Sequence, residues 1–293
     1  MSADGLIVVD KPAGMTSHDV VARVRRLART RRVGHGGTLD PMATGVLIIG
    51  VNRATRLLTY VIGSAKSYTA TIRLGESTLT DDAEGEVTAR ASAAGVTDDA
   101  IRAGLAAQTG EIDQVPSAVS AIKINGERAY KRVREGEEVV LPARRVTVSR
   151  LDVPAIRRDG DRVDVDIDVT CSSGTYIRAI ARDLGRALGV GGHLTALRRT
   201  AVGGLTLAEA STLDDLERRA PDVVGLPMAA AARRAFRERE ATPDEARVLS
   251  HGGPLAPVGI EGPYAVFDPA GTLLAIVSER DGRARAEIVL APA

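Results

Sequence analysis

The chain has 293 residues with a net charge of +1 and a single cysteine. That length allows one large domain or two smaller ones and a sizeable core. The lone Cys171 excludes an internal disulfide and fits a reducing cytoplasm, the four scattered histidines show no metal-ligand spacing, and no apolar run is long enough for a bilayer.

The N-terminus, MSADGLIVVDKPAG, does not read as a signal peptide. GLIVVD, residues 5–10, predicts a buried strand ending in a turn at Lys11-Pro12-Ala13-Gly14. A helix follows, with Thr16 as N-cap and Asp19 completing a T-x-x-D box. Val20, Val21, Val24, Leu27 and Ala28 share one helical face, and Arg23, Arg25, Arg26 and Arg29 the other. With Arg31 and Arg32 this makes a basic cluster containing no acid, while Asp81, Asp82 and Glu84 crowd residues 76–86. A near-neutral total can therefore hide one strongly positive face, although solvated charge runs look the same.

VGHGGTLDPMATGVLIIG, Val33–Gly50, is a glycine-rich loop running into a strand over Val46–Val51. Pro41 disfavours a helical conformation for Asp40, and Gly34, Gly36 and Gly37 permit close backbone approach. The loop matches no phosphate loop, dinucleotide fingerprint or nucleophile elbow. Two readings stay open from spacing alone: a turn whose Asp caps nearby amides, or a carboxylate acting as nucleophile or acid/base.

Ser67–Gly75 alternates as a half-buried strand, and residues 97–110 predict a helix ending at Gly110. Gln114–Val146 is basic, carries an Asn125-Gly126 turn and reads as a protruding insertion. RVDVDIDV, Arg162–Val169, alternates strictly, so Asp164, Asp166 and Asp168 face water without needing a metal. Cys171–Gly189 starts extended, turns at Ser173-Gly174 and becomes a helix with Ile177, Ile180, Ala181, Leu184 and Leu188 on its apolar face. Beyond residue 238, a Pro269-Ala270-Gly271 turn between Tyr264–Asp268 and Thr272–Ser278 predicts a hairpin in a small β-rich domain. With two Phe, five Tyr and no Trp, Tyr68 at a strand start and Tyr176 at a helix entry stand out. A flipped nucleobase stacks on such rings, although each is also an ordinary packing residue.

DKPAGMTSHDVV, RRVGHGGTLDPMATGVLIIG, KSYTATIRLG and CSSGTYIRAIARDLG followed by GGHLTALRRTAVG occur in that order. Together they resemble the TruB family of bacterial tRNA pseudouridine synthases, over about residues 5–205. The block G-H-x-G-x-L-D-P is very specific. One departure is Gly36, where the family more often has Ala or Thr.

The resemblance implies an α+β chain with the pseudouridine synthase fold: a mixed, largely antiparallel sheet with flanking helices. It implies a catalytic domain over residues 1–237, with 114–146 as an RNA-gripping thumb, and a small PUA-like RNA-binding domain over 238–293. The implied reaction is isomerisation of uridine 55 in the tRNA T-loop, by base flipping, without metal or cofactor. Asp40 is implied as the catalytic carboxylate, Arg178 as its ion partner, and Tyr68 as the stacking ring and proton acceptor. Tyr176 and Leu197 are expected in the pocket wall, His35 against the RNA where the uridine leaves its stack, and Lys11 as a structural or phosphate contact. Arg23, Arg26, Lys123, Arg128, Lys131, Arg132, Arg198 and Arg199 are expected on phosphates. The partner is the tRNA T-arm, with no membrane, guide RNA or protein partner, for a cytoplasmic monomer. Competing readings are a guide-RNA-dependent synthase, a non-catalytic RNA-folding factor, and a metal-dependent hydrolase on His35 and Asp40.

Overall fold

The computed structural model describes residues 3–119, 123–124, 127–128 and 141–291. Its main sheet has ten strands: β1 (Gly5–Lys11), β2 (Val33–Gly36), β3 (Thr44–Val51), β4 (Lys66–Leu74), β5 (Gly110–Gln114), β6 (Arg144–Asp159), β7 (Arg162–Cys171), β8 (Gly192–Val202), β9 (Leu205–Thr206) and β10 (Leu226–Pro227). The order is β10-β1-β3-β8-β4-β7-β6-β5, with β2 on β3 and β9 on β8. All ladders are antiparallel except β3–β8, which is parallel at Arg198↔Thr44 and Arg199↔Gly45. The expected mixed, largely antiparallel sheet is thus present. At that parallel crossing Gly45 has φ +98°, and an added Cβ would sit 2.2 Å from the Arg199 carbonyl oxygen. Only glycine lets the two strands meet there.

Helix α1 (Ser17–Leu27) starts at the expected cap: Thr16 Oγ1 accepts from the Asp19 amide at 3.1 Å, and Asp19 accepts from the Thr16 amide at 2.8 Å. Val20, Val21, Val24 and Ala28 are buried under it, while Arg25, Arg26 and Arg29 stay exposed. Helix α2 (Asp98–Ala106) is shorter than its sequence suggested. Gln108 and Thr109 turn the chain, and Gly110, at φ +92°, opens β5 instead of capping the helix. Helix α3 (Ile177–Ala187) follows the Ser173-Gly174 turn as expected, with Ile177, Ile180, Ala181 and Leu184 packed on the inner face of the sheet.

Asp164, Asp166 and Asp168 do alternate with a buried Val/Ile row, and Arg73 and Arg157 pair with the first two. In the insertion, Lys123–Ile124 and Glu127–Arg128 pair antiparallel, and the expected Asn125-Gly126 turn lies outside the described residues. The side chains of Lys123 and Arg128, and all of Lys131 and Arg132, lie outside the described residues.

The last strands, β11 (Arg237–Glu240), β12 (Tyr264–Phe267), β13 (Leu273–Arg280) and β14 (Arg283–Val289), form a second sheet in chain order. The predicted hairpin is β12–β13. Phe267, Leu273, Ile276 and Leu290 share one apolar cluster with Leu6, Val8, Val46 and Ile48, so this sheet covers the outer face of β1 and β3. Arg56 Nη1 donates to Val289 O at 2.6 Å, and Tyr60 Oη to Glu287 Oε2 at 2.7 Å, closing the seam. Among the described residues no helix is long and apolar enough to cross a membrane.

Candidate active site

Between β4, β8, the β2–β3 loop and the start of α3 lies a cleft of about 250 Å³. Asp40, Lys66, Tyr68, Tyr176, Arg178, Leu197 and Arg199 line it. The sheet register explains the grouping. Tyr68 pairs with Arg199 and Ala70 with Leu197 across β4–β8, so all four side chains share one face.

Asp40 sits on a loop pinned on both sides. Its neighbour Leu39 is buried and exchanges two hydrogen bonds with Ser17 Oγ: amide to hydroxyl at 2.9 Å, hydroxyl to carbonyl at 3.1 Å. Its other neighbour, Pro41, gives its carbonyl to Lys11 Nζ at 3.1 Å. The same ammonium donates to Met15 O at 2.6 Å and Pro12 O at 2.9 Å. Two residues before Leu39, the Gly37 carbonyl accepts from Arg199 Nη2 at 3.0 Å, and the Thr38 carbonyl from Nη1 at 3.3 Å. A flexible glycine-rich segment is therefore fixed by side chains from β1, α1 and β8.

Arg178, in the first turn of α3, meets the carboxylate with two nitrogens, Nε to Oδ2 at 3.1 Å and Nη2 to Oδ1 at 3.3 Å. Its Nη1 reaches Asp82 Oδ2 at 3.3 Å and donates to Thr80 O at 2.7 Å, while Nη2 also donates to Val119 O at 3.0 Å. One guanidinium thus serves two carboxylates. Asp82 is buried, but the Asp40 side chain keeps 35% of its surface open to the cleft. Loss of water pushes the Asp40 carboxyl above its ordinary range, Asp82 adds to this, and Arg178 and Lys11 oppose it. Arg178 therefore limits an upward shift. It does not produce a strongly acidic carboxyl.

Burial raises the Tyr68 phenol, with Arg199 pulling the other way. Tyr176 is held by backbone: its amide donates to Gln114 Oε1 at 2.8 Å, and its carbonyl accepts from Gln114 Nε2 at 3.1 Å. Gln114 ends β5, so the root of the insertion directly grips the pocket wall.

Asp40, Tyr68, Tyr176, Arg178 and Leu197 are brought together as expected. Other expectations change. Lys11 is fully buried and spends its donors on three carbonyls, so it is a structural anchor and not a phosphate contact. Arg199 is 1% exposed and lies in the cleft wall with its guanidinium spent on backbone carbonyls, so it is not a surface cation. Arg198 projects from the opposite face of β8 into a two-point pair with Asp10, at 2.7 and 3.0 Å. Arg23 is engaged by Glu217 at 2.8 Å, whereas Arg26 is exposed at the end of α1. His35 lies outside the cleft lining, edge-on to His18 with centroids 5.3 Å apart, and burial lowers its pKa. Asp82, Lys66 and Gln114 support or line the cleft without having been expected there. Asp82 carried a faint signal, a carboxylate inside an acidic stretch, but nothing marked it as the buried one. Among the described residues no cluster of His, Cys, Asp and Glu could hold a metal.

Three family models match the chain: "TruB family pseudouridylate synthase (N terminal domain)" over residues 25–177, "tRNA pseudouridylate synthase B C-terminal domain" over 178–222, and "tRNA Pseudouridine synthase II, C terminal" over 236–291. The tRNA pseudouridine synthase B of Arthrobacter sp. (strain FB24) is 59% identical over 299 residues, covering 98% of this chain and 97% of that protein. That of Thermobifida fusca (strain YX) is 56% identical over 293 residues, covering 99% of each. Among solved structures, the archaeal box H/ACA sRNP Nop10-Cbf5 complex contains a chain that superposes with TM-score 0.72 at 26% identity, over 98% of this chain and 86% of that one.

Proposed function

The chain belongs to the TruB family of pseudouridylate synthases, and from that premise we propose that it isomerises uridine to pseudouridine in tRNA, at position 55 of the T-loop, with Asp40 as the reacting carboxylate. The observation that carries this reading is the Asp40–Arg178 pair opening into a cleft walled by Tyr68, Tyr176 and Leu197.

The reaction breaks N1–C1′, turns the uracil and joins C5 to C1′. Electrons are neither gained nor lost overall. Asp40 either attacks the ribose carbon, attacks the base or helps remove a ribose proton, and each route needs a carboxylate against the glycosidic bond. Its partial exposure leaves it accessible, and the two-point contact with Arg178 directs it. Tyr68 stacks on the flipped base and accepts the C5 proton late in the reaction. Tyr176 and Leu197 close the slot. Unstacking a base costs a few kcal/mol; His35, just outside the cleft, fills the gap the uridine leaves. The exposed Arg26 and its neighbours on α1 steer phosphates, and residues 238–293 act as a PUA-like RNA-binding domain. The enzyme works in the cytoplasm on bare tRNA, as a monomer without metal, guide RNA or protein partner.

Tritium release from C5-labelled uridine in a bare T-arm hairpin, with chelator present, tests the reading. Release by wild type and none by Asp40→Asn supports it. Tight hairpin binding without release favours a guide-dependent synthase, a reading that the likeness to the archaeal particle's chain also suggests.

A further inference from the structure

Arg199 differs from the other arginine in the cleft. Arg178 is matched by two carboxylates. The hydrogen bonds of Arg199 go to neutral groups, three backbone carbonyls: Nε to Val46 O at 2.7 Å, Nη1 to Thr38 O and Nη2 to Gly37 O, and Tyr68 is its direct cross-strand neighbour in the cleft wall. Among the described residues no carboxylate forms an ion pair with it. A guanidinium donates only, so toward Arg199 the Tyr68 oxygen can act only as an acceptor.

We propose that Arg199 is a positioning residue for Tyr68: it ties the strand face that carries the phenol to the loop that carries Asp40, and it supplies a positive charge, engaged in no ion pair among the described residues, against which the phenol oxygen exchanges a proton. The inference rests on the functional reading above, in which Tyr68 takes the C5 proton.

The charge balance shows why a cation is needed. After C5 has bonded to C1′ and N1 is double-bonded to C6, the C5–H bond breaks, its electron pair becomes the C5–C6 double bond, and the N1–C6 π pair moves onto N1. The proton goes to the Tyr68 oxygen, N1 gains a proton from water, and the product is neutral. A neutral phenol cannot hold a second proton, so Tyr68 first loses its own to solvent. A phenolate in a buried wall is costly, and an adjacent fixed guanidinium lowers that cost. The groups around Tyr68 are few: Arg199 from β8, Asp40 from its loop, Cys171 from β7, and Lys66 and Arg178 in the cleft wall. Burial keeps Cys171 a thiol, and Asp40 raises the phenol. Arg199 is the cation directly across the strand from the phenol, and it favours the ionised form.

The test is single-turnover tritium release from the T-arm hairpin between pH 6 and 10, with hairpin affinity measured separately. Wild type, Arg199→Lys, Arg199→Gln, Tyr68→Phe and the double variant Arg199→Gln/Tyr68→Phe are compared. Arg199→Gln should bind the hairpin within about threefold of wild type, release tritium about a hundredfold more slowly at pH 7, and need a higher pH to reach half its maximal rate. Arg199→Lys should recover about tenfold of that loss, and the double variant should be no slower than Tyr68→Phe. Equal losses in the Lys and Gln variants with an unmoved pH profile, or losses that multiply in the double variant, overturn the proposal and leave Arg199 a scaffold. If Arg199→Gln does not fold, Arg199→Lys combined with Tyr68→Phe decides by the same non-additivity. Failure of wild type to release tritium overturns the functional reading itself, a distinct result.

Discussion

Arg178 meets Asp40 side-on, with Nε 3.1 Å from Oδ2 and Nη2 3.3 Å from Oδ1, while the same guanidinium is anchored from behind by Asp82. The pair joins a loop between two strands to a helix 138 residues later. Replacing Asp40 by Asn keeps the shape and removes the charge. Turnover should fall by at least about ten-thousandfold, with hairpin affinity within a few-fold. Preserved tritium release would remove Asp40 from the chemistry.

Asp82 does not line the cleft, yet it fixes the guanidinium that aims Asp40. Asp82→Asn should lower kcat by about ten- to a thousandfold, with little change in the affinity for RNA. A change confined to KM would show that Arg178 is held well enough by Thr80 and Val119.

The pH dependence follows from the raised Asp40 carboxyl. Activity needs the ionised form, so the acid limb of kcat/KM should lie above the ordinary carboxylate value of 3.8. For stability the sign is opposite. The folded protein holds this proton more tightly than the unfolded chain, so stability falls as pH rises from the ordinary value through the raised one. Asp40→Asn should therefore melt no lower than wild type at pH 7.5. A clear drop in Tm would show that the Arg178 contact outweighs desolvation.

Lys11 anchors the Asp40–Pro41 turn from beneath. Lys11→Met should cost about 1–3 kcal/mol by stranding carbonyls, and should reduce turnover through the displaced loop. Burial holds the amine down at about 8 against 10.5 for the free group. The unfolded chain then binds more protons between those values, so this residue's contribution to stability is present above 10.5 and is lost as pH falls through about 8. Urea midpoints across that range should lose this slope in the variant. An unchanged slope would assign it to other groups.

Arg26 is exposed at the basic end of α1. If it touches a phosphate, Arg26→Ala should weaken the hairpin uniformly across sequences and reduce the slope of log K against log salt by a little under about one. An unchanged slope would make α1 an ordinary solvated face.

Local order was plain in the chain. Thr16 and Asp19 announced the start of α1, the Val/Ile alternation announced β7, and the glycines with Asp-Pro marked the loop that lines the cleft. Each signal is carried by residues within a few positions of one another, where periodicity and capping chemistry act. Through their resemblance to a known family the motif blocks also named Asp40, Tyr68, Tyr176, Arg178 and Leu197, which line one cleft, but His35 and Lys11, named with them, lie outside its lining.

The tertiary structure alone decided which charges are spent inside. Arg198 and Arg199 are adjacent and look alike as sequence, but strand alternation sends them to opposite faces. The parallel meeting of β3 and β8 then decides that Arg199 faces the cleft and Arg198 faces Asp10. Asp81 and Asp82 are an equally similar pair, and only Asp82 reaches Arg178. Lys11 looks like a surface cation and becomes a buried anchor because three carbonyls, one of them 30 residues away, converge on it. A charge's role is set by whether burial finds it a partner, and that partner is a property of the packed chain.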